Sequence, residues 1–109
     1  MIMKEIRYFT LQNKAPVVEW QAKLGSTERA IVKNALYRLA AGNTGKAKNL
    51  KGGLWELRLH ISSGYRIYFA YEGDQLIILL HAGDKSTQKK DIEKARSYLT
   101  VWREIYENY

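Results

Sequence analysis

The sequence predicts a single α+β domain in which helices back one antiparallel-rich sheet. Three observations carry this expectation. Apolar residues recur at steps of three and four in some segments and alternate with polar ones in others. The alternating runs are consecutive and joined by short glycine-containing loops. Finally, 109 residues, 46% of them apolar, suffice for one modest core and make a second domain unexpected. The predicted order is an N-terminal strand, a helical hairpin, a three-stranded antiparallel meander and a C-terminal helix, all within one domain spanning residues 1–109.

Ile2–Phe9 alternates, with Ile6 and Tyr8 on one side and Glu5 and Arg7 on the other, and reads as a strand with one face in the core. Pro16 suits a first helical turn, where its missing N–H costs little. A short helix then runs to about Leu24 with Val17, Trp20 and Leu24 on one stripe, and Gly25 ends it. Ser26 reads as the N-cap of a second helix whose stripe is Val32, Ala35, Leu36 and Leu39 and whose C′ residue is Gly42. Asn43–Gly53, rich in Gly, Asn and Lys, reads as a loop. Three strands follow, Leu54–Ile61, Tyr65–Tyr71 and Gln75–His81, the last apolar on both faces and so expected to be covered on both. From Ser86 to Tyr106, Ile92, Ala95, Leu99, Trp102 and Tyr106 mark one continuous helical stripe.

The first two meander strands meet at Ser62-Ser63-Gly64, read as a three-residue hairpin loop. Symmetric closure sets His60 opposite Arg66, Arg58 opposite Tyr68 and Glu56 opposite Ala70. Trp55, Leu57 and Leu59 then fill the core, while Glu56, Arg58, His60, Arg66 and Tyr68 share a face read as open surface. Two arginines on one face favour an anion between them, and guanidinium forks match phosphate oxygens. The plainer reading is that Glu56 pairs with Arg58 on a solvated face. The third strand ends at His81 beside Ala82-Gly83-Asp84-Lys85, and Lys85 is placed to add charge or a proton there. Alternatively, Asp84 or Ser86 simply caps the final helix, leaving Lys85 exposed.

Lysines and arginines number 18 against 11 acids, a net charge of +7. Eight bases fall between Arg29 and Arg66 against the single acid Glu56, so that stretch carries the excess and the remainder balances. Such a field favours a polyanion. Lys46, Lys48 and Lys51, in a loop with Gly45, Gly52 and Gly53, are candidate phosphate contacts. The Gly42–Ala47 segment lacks the spacing and the Ser/Thr of a nucleotide-triphosphate loop. Without cysteine there is no thiolate chemistry or disulfide framework, and the two histidines lack close metal-ligand spacing, so no metal or cofactor is expected. The longest aliphatic run, Leu76–Leu80, is too short for a membrane, and Met1-Ile2-Met3-Lys4 lacks the apolar stretch of a secretory signal; a cytoplasmic location is expected.

Leu54-Trp55-Glu56-Leu57-Arg58-Leu59-His60, then Ser63-Gly64-Tyr65-Arg66-Ile67-Tyr68-Phe69, then Leu79-Leu80-His81-Ala82-Gly83-Asp84-Lys85 resemble the RelE/ParE toxin superfamily. The match is nearest to its HigB-like branch, often called phage-derived addiction-module killer proteins. The resemblance covers nearly the whole chain. It implies a toxin of a type II toxin–antitoxin pair, a metal-independent endoribonuclease that cuts messenger RNA, often in the ribosomal decoding site. The ribose 2′-hydroxyl attacks the adjacent phosphate, leaving a 2′,3′-cyclic phosphate and a 5′-hydroxyl. It also implies a helix-turn-helix antitoxin as partner, with oligomers formed only through that complex.

Within this resemblance Arg66 corresponds to the phosphate-clamping arginine of the Gly-Tyr-Arg motif, and Lys85 stands where an arginine is frequent. The strand lysines of the RelE type are unmatched; Arg58 and His60 occupy that region. The expected catalytic set is therefore Arg58 and Arg66 on the phosphate, His60 or Glu56 as base, and Lys85 assisting. Lys46, Lys48, Lys51, Tyr68 and His81 are the expected RNA contacts. A ParE-like gyrase inhibitor and a non-catalytic nucleic-acid- or antitoxin-binding protein are the alternatives.

Overall fold

The computed structural model describes residues 3–107. In chain order it contains β1 (Glu5–Tyr8), α1 (Pro16–Ala22), α2 (Ser26–Ala40), β2 (Ala47–Asn49), β3 (Trp55–Leu59), β4 (Tyr65–Glu72), β5 (Leu76–Gly83), a 3₁₀ turn (Lys85–Thr87) and α3 (Gln88–Glu107). Among these residues no helix is long and apolar enough to cross a membrane.

The apolar run of β5 dictates the architecture. With no polar face, it is stable only where layers cover both its sides and strands flank both its edges. Accordingly β5 lies inside a five-stranded sheet of order β1-β5-β4-β3-β2. The α1–α2 hairpin covers one face, where Val17, Val32, Leu36 and Leu39 meet Leu57, Ile67, Phe69, Ile77 and Leu79. Helix α3 covers the other, where Ala95 and Leu99 meet Leu54, Tyr68, Ala70, Ile78 and Leu80. The sheet is mixed because β1 runs parallel to β5. Of the expected Ile2–Phe9 strand, only Glu5–Tyr8 is strand, and Ile2 lies outside the described residues.

Helix α2 departs from expectation at its start. Ser26 is already helical, and the N-cap is Gly25, which offers no side-chain cap. Its C-terminus is as predicted: Gly42 has φ 99°, and the N–H groups of Gly42 and Asn43 reach the carbonyls of Leu39 and Arg38. That is the paired closure that favours glycine at C′.

Two further corrections concern the meander. The Asn43–Gly53 loop contains β2, a three-residue edge strand pairing Ala47 with Leu57 and Lys48 with Glu56. Lys48 blunts the edge, and the polarity of Lys48 and Asn49 hides the strand in the sequence. In the β3–β4 hairpin, Arg58 opposes Arg66 and Glu56 opposes Tyr68, so the expected pairs slip by two residues. The cause is a longer connection: His60 and Ile61 join Ser62–Gly64 between the strands, closed by the Gly64 N–H on the Ile61 carbonyl. A slip of two preserves side-chain parity, so the faces are those expected while the partners are not.

Candidate nucleic-acid interface

The shared face of β3 and β4 is not open surface. α3 packs over it, and Glu56 and Tyr68 are fully buried. Arg58 and Arg66 stand directly across the strand pair, and the Glu56 carboxylate lies between them. Glu56 Oε1 accepts from Arg58 Nε at 2.7 Å, and Oε2 accepts from Gln88 Nε2 at 2.9 Å with Arg66 Nε at 3.8 Å. Burial alone raises the Glu56 carboxyl, but the hydrogen bonds from Arg58 and Gln88 and the Arg58 charge outweigh it. The net effect holds Glu56 below the ordinary carboxylate range, ionised and a poor proton acceptor. It is the mounting that keeps two like charges together.

The arginines differ in reach. The Arg58 side chain is 38% exposed and that of Arg66 only 12%. Arg66 Nη1 donates to the Gly64 carbonyl at 2.9 Å. At Gly64, with φ 76°, a Cβ would lie 3.3 Å from Arg66 Nη1 and 3.5 Å from Lys85 Cβ, so the glycine marks the corner where these two residues meet. That corner is latched. The Lys85 N–H reaches the Ser63 carbonyl, Ser63 Oγ donates to Asp84, and Asp84 caps the 3₁₀ turn through the Ser86 N–H. Asp84 is therefore the cap, and Lys85 is exposed beside Arg66. Arg58, Arg66 and Lys85 against Glu56 and Asp84, three cations to two anions, leave a net positive charge at the N-terminal end of α3.

His60 does not face Arg66. Lying beyond the end of β3, it is exposed at the sheet edge, where it lines a shallow groove with Gly45, Lys46, Lys48 and Arg58. Arg58 thus lies between this groove and the Arg66–Lys85 corner.

Three expected RNA contacts are placed elsewhere. Tyr68 is buried, its hydroxyl has no hydrogen-bond partner among the described residues and its phenol is raised by burial and then by Glu56, so it offers no stacking surface. Lys51 lies on a loop whose carbonyls bind α3: Arg96 takes those of Leu50 and Lys51, and Arg103 that of Gly52. Arg96 is eight residues beyond Gln88, about 12 Å along the helix, and Gly52 and Gly53 leave room for those arginines rather than for a phosphate. His81 sits on the other flank of α3. A bulge in β5 shifts the register between Tyr68 and Phe69 and turns His81 to the α3 side, where Nε2 meets Asp91 Oδ1 at 3.0 Å. Burial lowers its pKa more than Asp91 raises it, with Lys94 adding to the lowering.

Gln88 and Asp91 are the residues the sequence reading missed. The pattern Asp84-x-x-Thr87 is a capping box, and recognising it puts Gln88 and Asp91 in the first α3 turns, directed at the sheet.

Comparison with known proteins follows the same outline. Residues 19–100 match the family described as phage derived protein Gp49-like. An uncharacterized protein of Haemophilus influenzae is 39% identical over 90 residues, covering 80% of this chain and 91% of its own. The E. coli toxin RelE, solved as a double arginine-to-alanine mutant in the free state, superposes with a TM-score of 0.65 at 18% identity. That superposition covers 89% of this chain and 97% of the other, so the fold is that of RelE.

Proposed function

The chain belongs to the Gp49-like family of phage-derived proteins, and from that membership and the RelE fold we propose that it is the toxin of a toxin–antitoxin pair, acting as an endoribonuclease on messenger RNA. The observation that carries this reading is the Arg58–Glu56–Arg66 mounting with Lys85 beside it, a fixed group of cations with charge to spare for a phosphate.

Single-stranded RNA lies along the edge groove, its backbone on Lys46 and Lys48. The scissile phosphate sits on Arg58, backed by Arg66. His60 takes the proton of the ribose 2′-hydroxyl as its oxygen attacks phosphorus, the general-base task that imidazole side chains most often perform. Arg58 and Arg66 stabilise the extra negative charge of the phosphorane. The bond to the 5′-oxygen breaks, and Lys85 supplies the proton that makes it a hydroxyl. Glu56 is a positioning residue here, not the base. The partner is an antitoxin that neutralises the chain, and the ribosome is where the messenger is presented.

Induction in cells lacking an antitoxin tests this directly. Translation arrest with truncated transcripts is expected, whereas DNA damage with intact transcripts points instead to a gyrase inhibitor. The engagement of both arginines by Glu56 favours a second reading, nucleic-acid binding without cleavage, which predicts that cells tolerate expression.

A further inference from the structure

Behind the edge groove, on the opposite face of β3, lies a second depression that shares only Lys46 and His60 with the proposed cleavage machinery. It is lined by Leu57, Leu59 and Ile61 from the sheet side, by Ile31 and Ala35 of α2, and by the polar Asn34, Asn43, Arg38, Lys46 and His60. We infer that this pocket receives one unstacked nucleobase of the RNA strand. The inference rests on the reading of the chain as an RNA-binding protein and adds where the sequence is inspected.

Four features argue for that occupant. The volume, about 180 Å³, is below the roughly 300–1,000 Å³ of ordinary small-molecule sites and suits a single planar ring system. The apolar part of the lining is aliphatic, matching the apolar faces of a base. The polar part holds two carboxamides, the groups that read base edges in pairs of hydrogen bonds. Asn43 is held for this: its Oδ1 accepts the Gly45 N–H at 3.3 Å, which leaves its NH₂ as a donor. Asn34 is exposed on α2.

The fourth feature is continuity. Lys46 and His60 line both this pocket and the edge groove, so a strand whose phosphates follow Lys46 and Lys48 passes the pocket. Arg38, Lys46 and His60 lie on the pocket and, among the described residues, no carboxylate lines it, so the surround suits a nucleotide's phosphate. Base insertion on one face of β3 and phosphate capture by Arg58 near its other face then fix the register of the strand.

The experiment is a titration of the purified, isotope-labelled chain with each nucleoside 5′-monophosphate and, as control, ribose 5-phosphate, followed by NMR. Saturable shifts of the Asn34 and Asn43 side-chain amides and the Leu59 and Ile61 methyls are expected, unequal among the four bases and absent with ribose 5-phosphate. Asn34→Ala, at an exposed position, weakens the preferred nucleotide about tenfold, the cost of roughly one hydrogen bond. Two results overturn the inference: ribose 5-phosphate shifting the same signals as strongly, or the pocket signals moving only with an Asp/Glu-rich helical peptide, which makes the depression a protein-docking groove. Neither result depends on cleavage, so a chain that cuts no RNA can still bind a base here, and a toxic nuclease can still lack the pocket's function.

Discussion

Glu56 decides how the arginines can be probed. Arg58→Ala removes a phosphate-stabilising donor, for which a loss of about 10²–10³ in cleavage rate is expected. It also deprives a fully buried carboxylate of its 2.7 Å partner, at a cost of about 1–3 kcal/mol in stability. Arg58→Lys keeps the countercharge but loses the planar fork, so it should unfold at nearly the wild-type urea concentration and still lose most activity. A second residue-scale prediction concerns acid. The Glu56 carboxyl is held below its ordinary 4.5, so its contribution to stability is complete above that pH and disappears as pH falls through the lower folded value. Glu28 and Asp84 are lowered as well, Glu28 by the Tyr65 hydroxyl and Asp84 by the Ser86 hydroxyl, which makes the comparison with Glu56→Gln the informative one. Urea midpoints measured from pH 6 down to pH 2 should fall more steeply in the wild type than in Glu56→Gln. The site was legible at this scale only in part: side-chain parity placed Glu56, Arg58 and Arg66 on one face. What parity cannot express is that a helix beginning 22 residues after Arg66 covers that face and buries the carboxylate.

At the scale of elements, the β5–α3 junction carries the strongest constraint. A Cβ on Gly83 would collide with the Asp91 carboxylate, which ties α3 to β5 through His81, and crowd Thr87 Oγ1. Gly83→Ala should therefore cost about 1–3 kcal/mol in equilibrium unfolding and loosen the corner that holds Lys85. Gly73→Ala is the comparison at another glycine, where nothing lies within 4 Å and only the φ of 60° is unfavourable. The long periodic elements could be read from the sequence because burial enforces their pattern: α2, α3, β4 and β5 lie within a few residues of expectation. Short or irregular features could not. β2 has three residues and two hydrophilic side chains, and the hairpin register turned on whether His60 and Ile61 belong to strand or loop. The β5 bulge, which aims His81 at Asp91, interrupts an apolar run that shows no periodicity to break.

For the whole molecule, charge is the property that reaches farthest. The +7 excess is concentrated between Arg29 and Arg66, and the fold turns Arg38, Lys46, Lys48 and Arg58 toward neighbouring depressions at the β2 edge while Lys51 is taken elsewhere. RNA affinity should fall linearly with the logarithm of salt, and replacing Lys46 and Lys48 with alanine should flatten that slope by about 1.4, near 0.7 for each lost phosphate contact on a single strand. Lys51→Ala should leave the slope unchanged in the same fluorescence-anisotropy series. The most direct test is the chemistry of the ends after purified chain meets messenger RNA, free and on ribosomes. New 5′-hydroxyl ends paired with 2′,3′-cyclic phosphates, abolished in a folded Arg58→Lys/Arg66→Lys variant, are the predicted result. RNA that stays whole under both conditions, or is cut equally well by that variant, contradicts the assignment of these arginines to phosphodiester cleavage.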